Sequence, residues 1–157
     1  MQKEGSQISK PQTKPVPTPI EKPAKSGISL EAAKKLAASV ECAAKAIGIS
    51  VVTAVVNEGG NLICLEAMDN SYLASVRAAW DKAYTAAALK MPTYVALEQS
   101  RGGALDGLTN GNGILLLGGG EPLMAGDTLL GGVGVSGGTK EQDALLARVA
   151  VEIFKIN

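Results

Sequence analysis

The chain has 157 residues, 46% of them hydrophobic, 19% charged and 3% aromatic, and its 15 basic and 15 acidic side chains balance to zero. That length and composition fit one domain with a buried core made of small aliphatic residues. The sequence has neither the basic stripe nor the stacking aromatics of a nucleic-acid binder, and no run near the ~20 apolar residues of a membrane span.

Residues 1–28 hold five of the seven prolines (Pro11, Pro15, Pro17, Pro19 and Pro23). They also carry five lysines against two glutamates, a net +3 that leaves −3 on the rest of the chain. Prolines this dense forbid helix and sheet, so this stretch reads as an extended tail or linker. It contains no apolar run of the length a secretory signal needs, and the default expectation is a cytoplasmic protein.

The domain is expected over residues 29–157. Ser29 is a helix N-cap with Glu31 in the first turn, and Ala33, Leu36, Ala37, Val40, Ala44 and Ile47 recur at helical spacing up to a stop at Gly48. The β-branched run Ile49–Asn57, the turn Glu58-Gly59-Gly60 and the run Asn61–Ala67 read as a hairpin. A long helix follows from Leu73 to Met91, with Leu73, Val76, Trp80, Ala83, Tyr84, Ala87 and Met91 on one face and Pro92 as its end. Arg77 lies one turn from Asp81 and suits a surface ion pair.

A short helix fits Thr93–Ser100, and glycine pairs punctuate a loop over residues 101–113. Three strands are then expected: Ile114–Leu117, Glu121–Met124 and Thr128–Val135, the last two joined by Gly126-Asp127. Thr139-Lys140-Glu141-Gln142 is a capping box opening a last helix, with Leu146, Val149, Ala150 and Ile153 facing inward. Strands joined by tight turns imply an antiparallel sheet, and doubly apolar runs such as residues 114–117 imply helices covering it. Cys42 on a helix and Cys64 on a strand lack zinc or redox spacing and are expected as reduced thiols in or near the core.

Several segments in this order resemble the GlcG/HbpS family, and most of all the C-terminal domain of PduO-type cobalamin adenosyltransferases. They are Val55-Val56-Asn57-Glu58-Gly59-Gly60, Met68-Asp69-Asn70, Asp81 to Ala86 running on to Met91-Pro92-Thr93, Gly118 to Leu123, Gly131 to Gly138, and Glu141-Gln142-Asp143. The resemblance implies a profilin-like α/β (α+β) fold, a five-stranded antiparallel sheet with helices on both faces. It implies homo-oligomers built from dimers, up to tetramers or octamers. It also implies haem or corrinoid handling by binding rather than by a defined reaction, in or beside a bacterial microcompartment and its proteins.

One departure stands out. The chain has no histidine, so imidazole ligation of haem iron is impossible. Tyr72, Tyr84, Tyr94, Met68, Met91 and Met124 are the side chains left that can hold such iron, each with ordinary packing as the plainer role. The resemblance covers the C-terminal domain of the full-length look-alike and does not extend to its adenosyltransferase domain.

Three places could meet a ligand. Gly132-Val133-Gly134-Val135-Ser136-Gly137 fits a dinucleotide fingerprint, but no second strand and acidic residue follow it. A milder reading has Ser136, Gly137, Gly138 and Thr139 leading into a helix N-terminus that holds a carboxylate, against glycines that simply let strand and helix pack. Gly118, Gly119 and Gly120 let a flat ligand approach, with Glu121 to orient it or accept a proton, against a tight bend and a solvated Glu121. Lys82 is a cation facing a ligand carboxylate or an oligomer partner, against a solvated lysine. No catalytic residue is assigned: a nucleophilic triad lacks its base, and no paired carboxylates or metal-ligand cluster show. A small-ligand-binding domain is the function expected. Its rivals are a scaffold module that has lost its ligand and an enzyme acting on haem or a small acid.

Overall fold

The computed structural model describes residues 27–156. The proline-rich stretch therefore lies almost wholly outside the described residues. Ile28, placed by the sequence reading in that stretch, is buried in the core, and its N–H donates to the Leu130 carbonyl. The elements are α1 (Leu30–Ala46), β1 (Val52–Asn57), β2 (Leu62–Ala67), α2 (Leu73–Leu89), α3 (Thr93–Gln99), β3 (Gly120–Ala125), β4 (Thr128–Ser136) and α4 (Lys140–Ile156).

Local signals set most boundaries. The Ser29 hydroxyl accepts from the Ala32 N–H at 3.1 Å, and Gly48, at φ 76°, follows the end of α1. The Asn57 side-chain oxygen accepts from the N–H groups of Gly59 and Asn61, which closes the β1–β2 hairpin. Thr139 and Gln142 exchange side-chain-to-backbone bonds at 2.9 and 3.2 Å, the expected capping box. α2 ends before Pro92, because Lys90 adopts the left-handed conformation and caps it.

The sheet is antiparallel and has four strands in the order β2-β1-β4-β3, not five. Ile114–Leu117 is not a strand. Its backbone is bonded by side chains instead: the Leu115 N–H donates to Thr85 Oγ1, the Leu116 N–H to Asn110 Oδ1, and the Leu117 carbonyl accepts from Thr93 Oγ1. Ile114 itself bonds in both directions to the Gly111 backbone in an isolated bridge, so the segment is held without a ladder. Pro122 sits on β3, an edge strand, where its missing N–H is tolerated.

The two faces of the sheet are packed differently. Val51, Val55, Leu123, Val133 and Val135 form a core with α1 and α4, through Leu36, Val40, Leu146 and Ala150 among others. On the opposite face Val52, Ala54 and Val56 meet Ala79, Ala83 and Ala87 of α2. Here β4 presents Gly132 and Gly134, where an added methyl would strike the carbonyl oxygens of Ala83 and Ala79. The backbone of α2 thus lies directly on the sheet, and only its small residues fit.

The inward face of α2 is accordingly Ser75, Ala79, Lys82, Ala83 and Ala86, and Leu73, expected inside, is 90% exposed. Cys64 is buried as expected, but Cys42 is exposed on α1. Arg77 and Asp81 pair at 2.8 Å on the surface.

Candidate functional site

Four segments named from the sequence converge around the start of α4. Lys82 projects from α2, fully buried, and its Nζ donates to Asp143 Oδ2 and to the Val135 carbonyl, both at 2.9 Å. Lys82 therefore does not face solvent: its partner is Asp143, also buried. Burial pushes the ammonium pKa down, against the hydrogen bond and charge of Asp143, which push it up. Asp143 uses its other oxygen to accept the Gly138 N–H at 2.8 Å. The carboxylate of the protein itself thus stands where an external anion was expected.

The remaining bonds around residues 136–139 are internal as well. The Thr139 N–H goes to Gln142, and the Ser136 hydroxyl lies 3.3 Å from that of Ser75. Gly137 packs against the backbone of Ser50 and Val51. Gly132 and Gly134 sit in the middle of β4, not in a phosphate-cradling turn. The glycines of this stretch serve close packing.

Gly118, Gly119 and Gly120 divide. Gly119 turns its bare side to the Val135 carbonyl, Asp143 and Lys82, and Gly120 to the Lys82 carbonyl and Thr93, so neither is open to a ligand. Gly118 is buried too, with the Lys140 carbonyl against its bare side, but it borders a cleft of about 480 Å³ between α3 and α4, inside the roughly 300–1,000 Å³ of small-molecule sites.

One wall of this cleft is Tyr94, Leu97, Glu98 and Arg101, and the other is Lys140, Glu141, Ala144 and Arg148. Tyr94, Leu97 and Glu98 share one face of α3, with Arg101 in the turn just past it, and Lys140, Glu141, Ala144 and Arg148 share one face of α4. Arg101 and Arg148 form no ion pair among the described residues, whereas Lys140 lies 3.8 Å from Glu141. Thr93 fixes the wall that bears Tyr94: its Oγ1 donates to the Leu117 carbonyl at 2.6 Å and accepts from the Gly120 N–H at 2.9 Å.

Glu121 lies on β3, buried rather than solvated, and feels the charges of Arg148 and Lys155 on α4. Burial raises its pKa from 4.5 to about 7, and the two cations only partly oppose this.

A second, larger cavity of about 650 Å³ lies between α1, the β3–β4 hairpin and the end of α4, with Leu36, Met124, Leu130 and Phe154 in its lining. Its two lysines, Lys35 and Lys155, are paired with Glu31 at 3.0 Å and Glu152 at 3.3 Å. Among the described residues no group of three His, Cys, Asp or Glu side chains is placed to hold a metal ion, and no helix is long and apolar enough to cross a membrane.

The sequence reading missed Asp143 as the partner of Lys82, and it missed the cleft walls apart from Tyr94. The spacing of Tyr94, Leu97 and Arg101 carried a signal, as did that of Lys140, Ala144 and Arg148. Nothing in the sequence showed that the two faces meet.

The structure defines a small three-layer α/β domain with a cation-rimmed cleft between two helices on one side. The family described as haem degrading protein HbpS-like matches residues 28–152, and the chain belongs to that family. An uncharacterized 15.0 kDa protein encoded in the dhaT-dhaS intergenic region of Citrobacter freundii is 43% identical over 130 residues, 81% of this chain and 92% of that protein. The corrinoid adenosyltransferase PduO of Citrobacter freundii is 31% identical over 132 residues, which span 82% of this chain but only 39% of the enzyme. A crystal structure of a PduOC–haem complex superposes with a TM-score of 0.75 at 30% identity, covering 80% of this chain and 94% of that one.

Proposed function

We propose that this domain binds a tetrapyrrole, haem or a corrinoid, in the cleft between α3 and α4. The observation that carries the reading is the pair of arginines, Arg101 and Arg148, on opposite walls and in no ion pair among the described residues, beside Leu97, Ala144 and Gly118, with Glu98 and Glu141 also in the lining. A tetrapyrrole with carboxylate side chains needs that combination: an apolar slot for the ring and guanidiniums for the carboxylates, which they bind in forked geometry. The family description and the haem bound by the PduOC relative support the choice of ligand.

The residues present fit haem, although no imidazole is available. Tyr94 brings an oxygen donor to the cleft, and Met124 brings a thioether to the second cavity. When bound, haem supplies the redox chemistry of its iron, while this chain supplies binding, orientation and partial exclusion of water. Adenosyl transfer is not proposed, because the match covers the smaller part of PduO.

The same proposal includes a profilin-like layering and a homo-oligomeric state. Tyr72 and Leu73, 71% and 90% exposed at the start of α2, support assembly. A place in or beside a microcompartment completes the proposal, on the family resemblance.

The test is a titration of purified protein with haemin, iron-free protoporphyrin and cobalamin, followed by absorbance. Saturable binding of one haemin per chain, weakening as salt is raised, is expected. Saturable binding of cobalamin alone would move the ligand to the corrinoids. Diffuse, unsaturable uptake of all three would remove the reading and favour a scaffold module.

A further inference from the structure

We infer that Tyr94 is the iron ligand of the cleft, which makes it a site for ferric haem in preference to ferrous haem or iron-free porphyrin. The inference rests on the reading of the cleft as a tetrapyrrole site.

Among the described tyrosines, methionines and cysteines, Tyr72, Met91 and Cys42 do not line the cleft, and the others apart from Tyr94 are placed elsewhere by the fold. Met68 Sδ already accepts the Val51 N–H at 3.3 Å. Tyr84 has its ring packed over Gly60 and Gly113, where added methyl groups would strike it. Cys64 is buried beneath α1 beside Glu66, and its thiol pKa is pushed up, first by burial and then by that carboxylate. Met124 lines the larger cavity, whose lysines are tied to Glu31 and Glu152. Tyr94 alone among these lines the cleft that holds Arg101 and Arg148, and it is 40% exposed.

The chemistry agrees with the placement. A phenol binds iron as phenolate: the Fe–O bond forms as the O–H bond breaks, a water leaves the iron, and the proton passes to solvent. The iron stays ferric throughout. The hard anionic oxygen favours the ferric ion over the ferrous one. Tyr94 follows Thr93, whose hydroxyl bridges the Leu117 carbonyl and the Gly120 N–H, so the backbone that bears Tyr94 is tied to the stretch that contains Gly118.

The experiment compares wild type, Tyr94→Phe, Met124→Leu and the Arg101→Ala/Arg148→Ala double variant, each checked for folding by circular dichroism. Haemin and iron-free protoporphyrin are titrated into each, with electron paramagnetic resonance, resonance Raman and proton release in weak buffer as readouts. Wild type is expected to give a high-spin ferric signal with phenolate vibrations and to release about one proton per haem. Tyr94→Phe should lose that signature and bind haemin about tenfold more weakly, yet bind iron-free protoporphyrin as wild type does. Met124→Leu should change nothing. A Tyr94→Phe spectrum identical to wild type, or loss of the signal in Met124→Leu, overturns the ligand assignment while the arginine dependence still supports the cleft. Haemin binding indifferent to the arginine pair overturns the cleft reading, and the ligand assignment with it.

Discussion

The Nζ of Lys82 lies 2.9 Å from Asp143 Oδ2, with both side chains almost fully withdrawn from water. The pair ties the middle of α2 to the first turn of α4, and its spare bonds reach the Val135 carbonyl and the Gly138 N–H. Removing either partner leaves an uncompensated buried charge. Lys82→Ala and Asp143→Ala should each cost about 3–5 kcal/mol in denaturant unfolding. The double change Lys82→Met/Asp143→Leu should cost clearly less than the two single losses added. Additive losses would show that the pair is not coupled.

Close approach of α2 to the sheet predicts a contrast between two glycines. Gly134→Ala drives a methyl into the Ala79 carbonyl, where neither backbone can yield. A loss of at least about 3 kcal/mol, or failure to fold, is expected. Gly48→Ala meets open space and strains only a positive φ of 76°. It should cost about 1 kcal/mol. Comparable melting temperatures for the two variants would refute the packing argument.

Glu121 predicts a pH dependence. Its carboxyl has a pKa of 4.5 when unfolded and about 7 in the fold. Between those values the folded protein holds a proton that the unfolded chain has released. This group therefore makes stability fall as pH rises from about 4.5 to about 7, with no further change above. Glu121→Gln should match wild type near pH 4 and exceed it at pH 8 by on the order of 2 kcal/mol. A stability difference that does not change with pH would mean that Glu121 titrates normally.

Thr93 predicts a link between the core and the cleft. Thr93→Val keeps the shape but removes both bonds of the hydroxyl, leaving the Leu117 carbonyl and the Gly120 N–H without that partner. A stability loss of about 1–3 kcal/mol is expected. Faster hydrogen exchange confined to α3 and residues 115–120 should accompany it.

Signals local in sequence proved the most legible. The Ser29 cap, the Thr139–Gln142 box, the Gly48 stop and the Asn57 turn each involve residues within a few positions, and the structure has all four. Ile114–Leu117 looks like a strand by composition, but Thr85, Thr93 and Asn110, two of them distant in sequence, take three of its peptide groups, and Gly111 takes those of Ile114. The apolar spacing of α2 pointed to its large residues, whereas glycines on a distant strand selected its small ones. Lys82 was noticed, but Asp143 lies 61 positions away, and pairing at that range leaves no mark in one sequence. Glycine content suggested a ligand surface, yet of Gly118, Gly119 and Gly120 only Gly118 borders the cleft.

The most direct test of cleft binding is the haemin dissociation constant of the Arg101→Ala/Arg148→Ala variant against that of Lys35→Ala/Lys155→Ala, which alters the other cavity. The first should bind haemin at least about tenfold more weakly than wild type and lose most of the salt dependence, while the second binds as wild type. An unchanged constant in the arginine variant, or a loss confined to the lysine variant, would contradict the account.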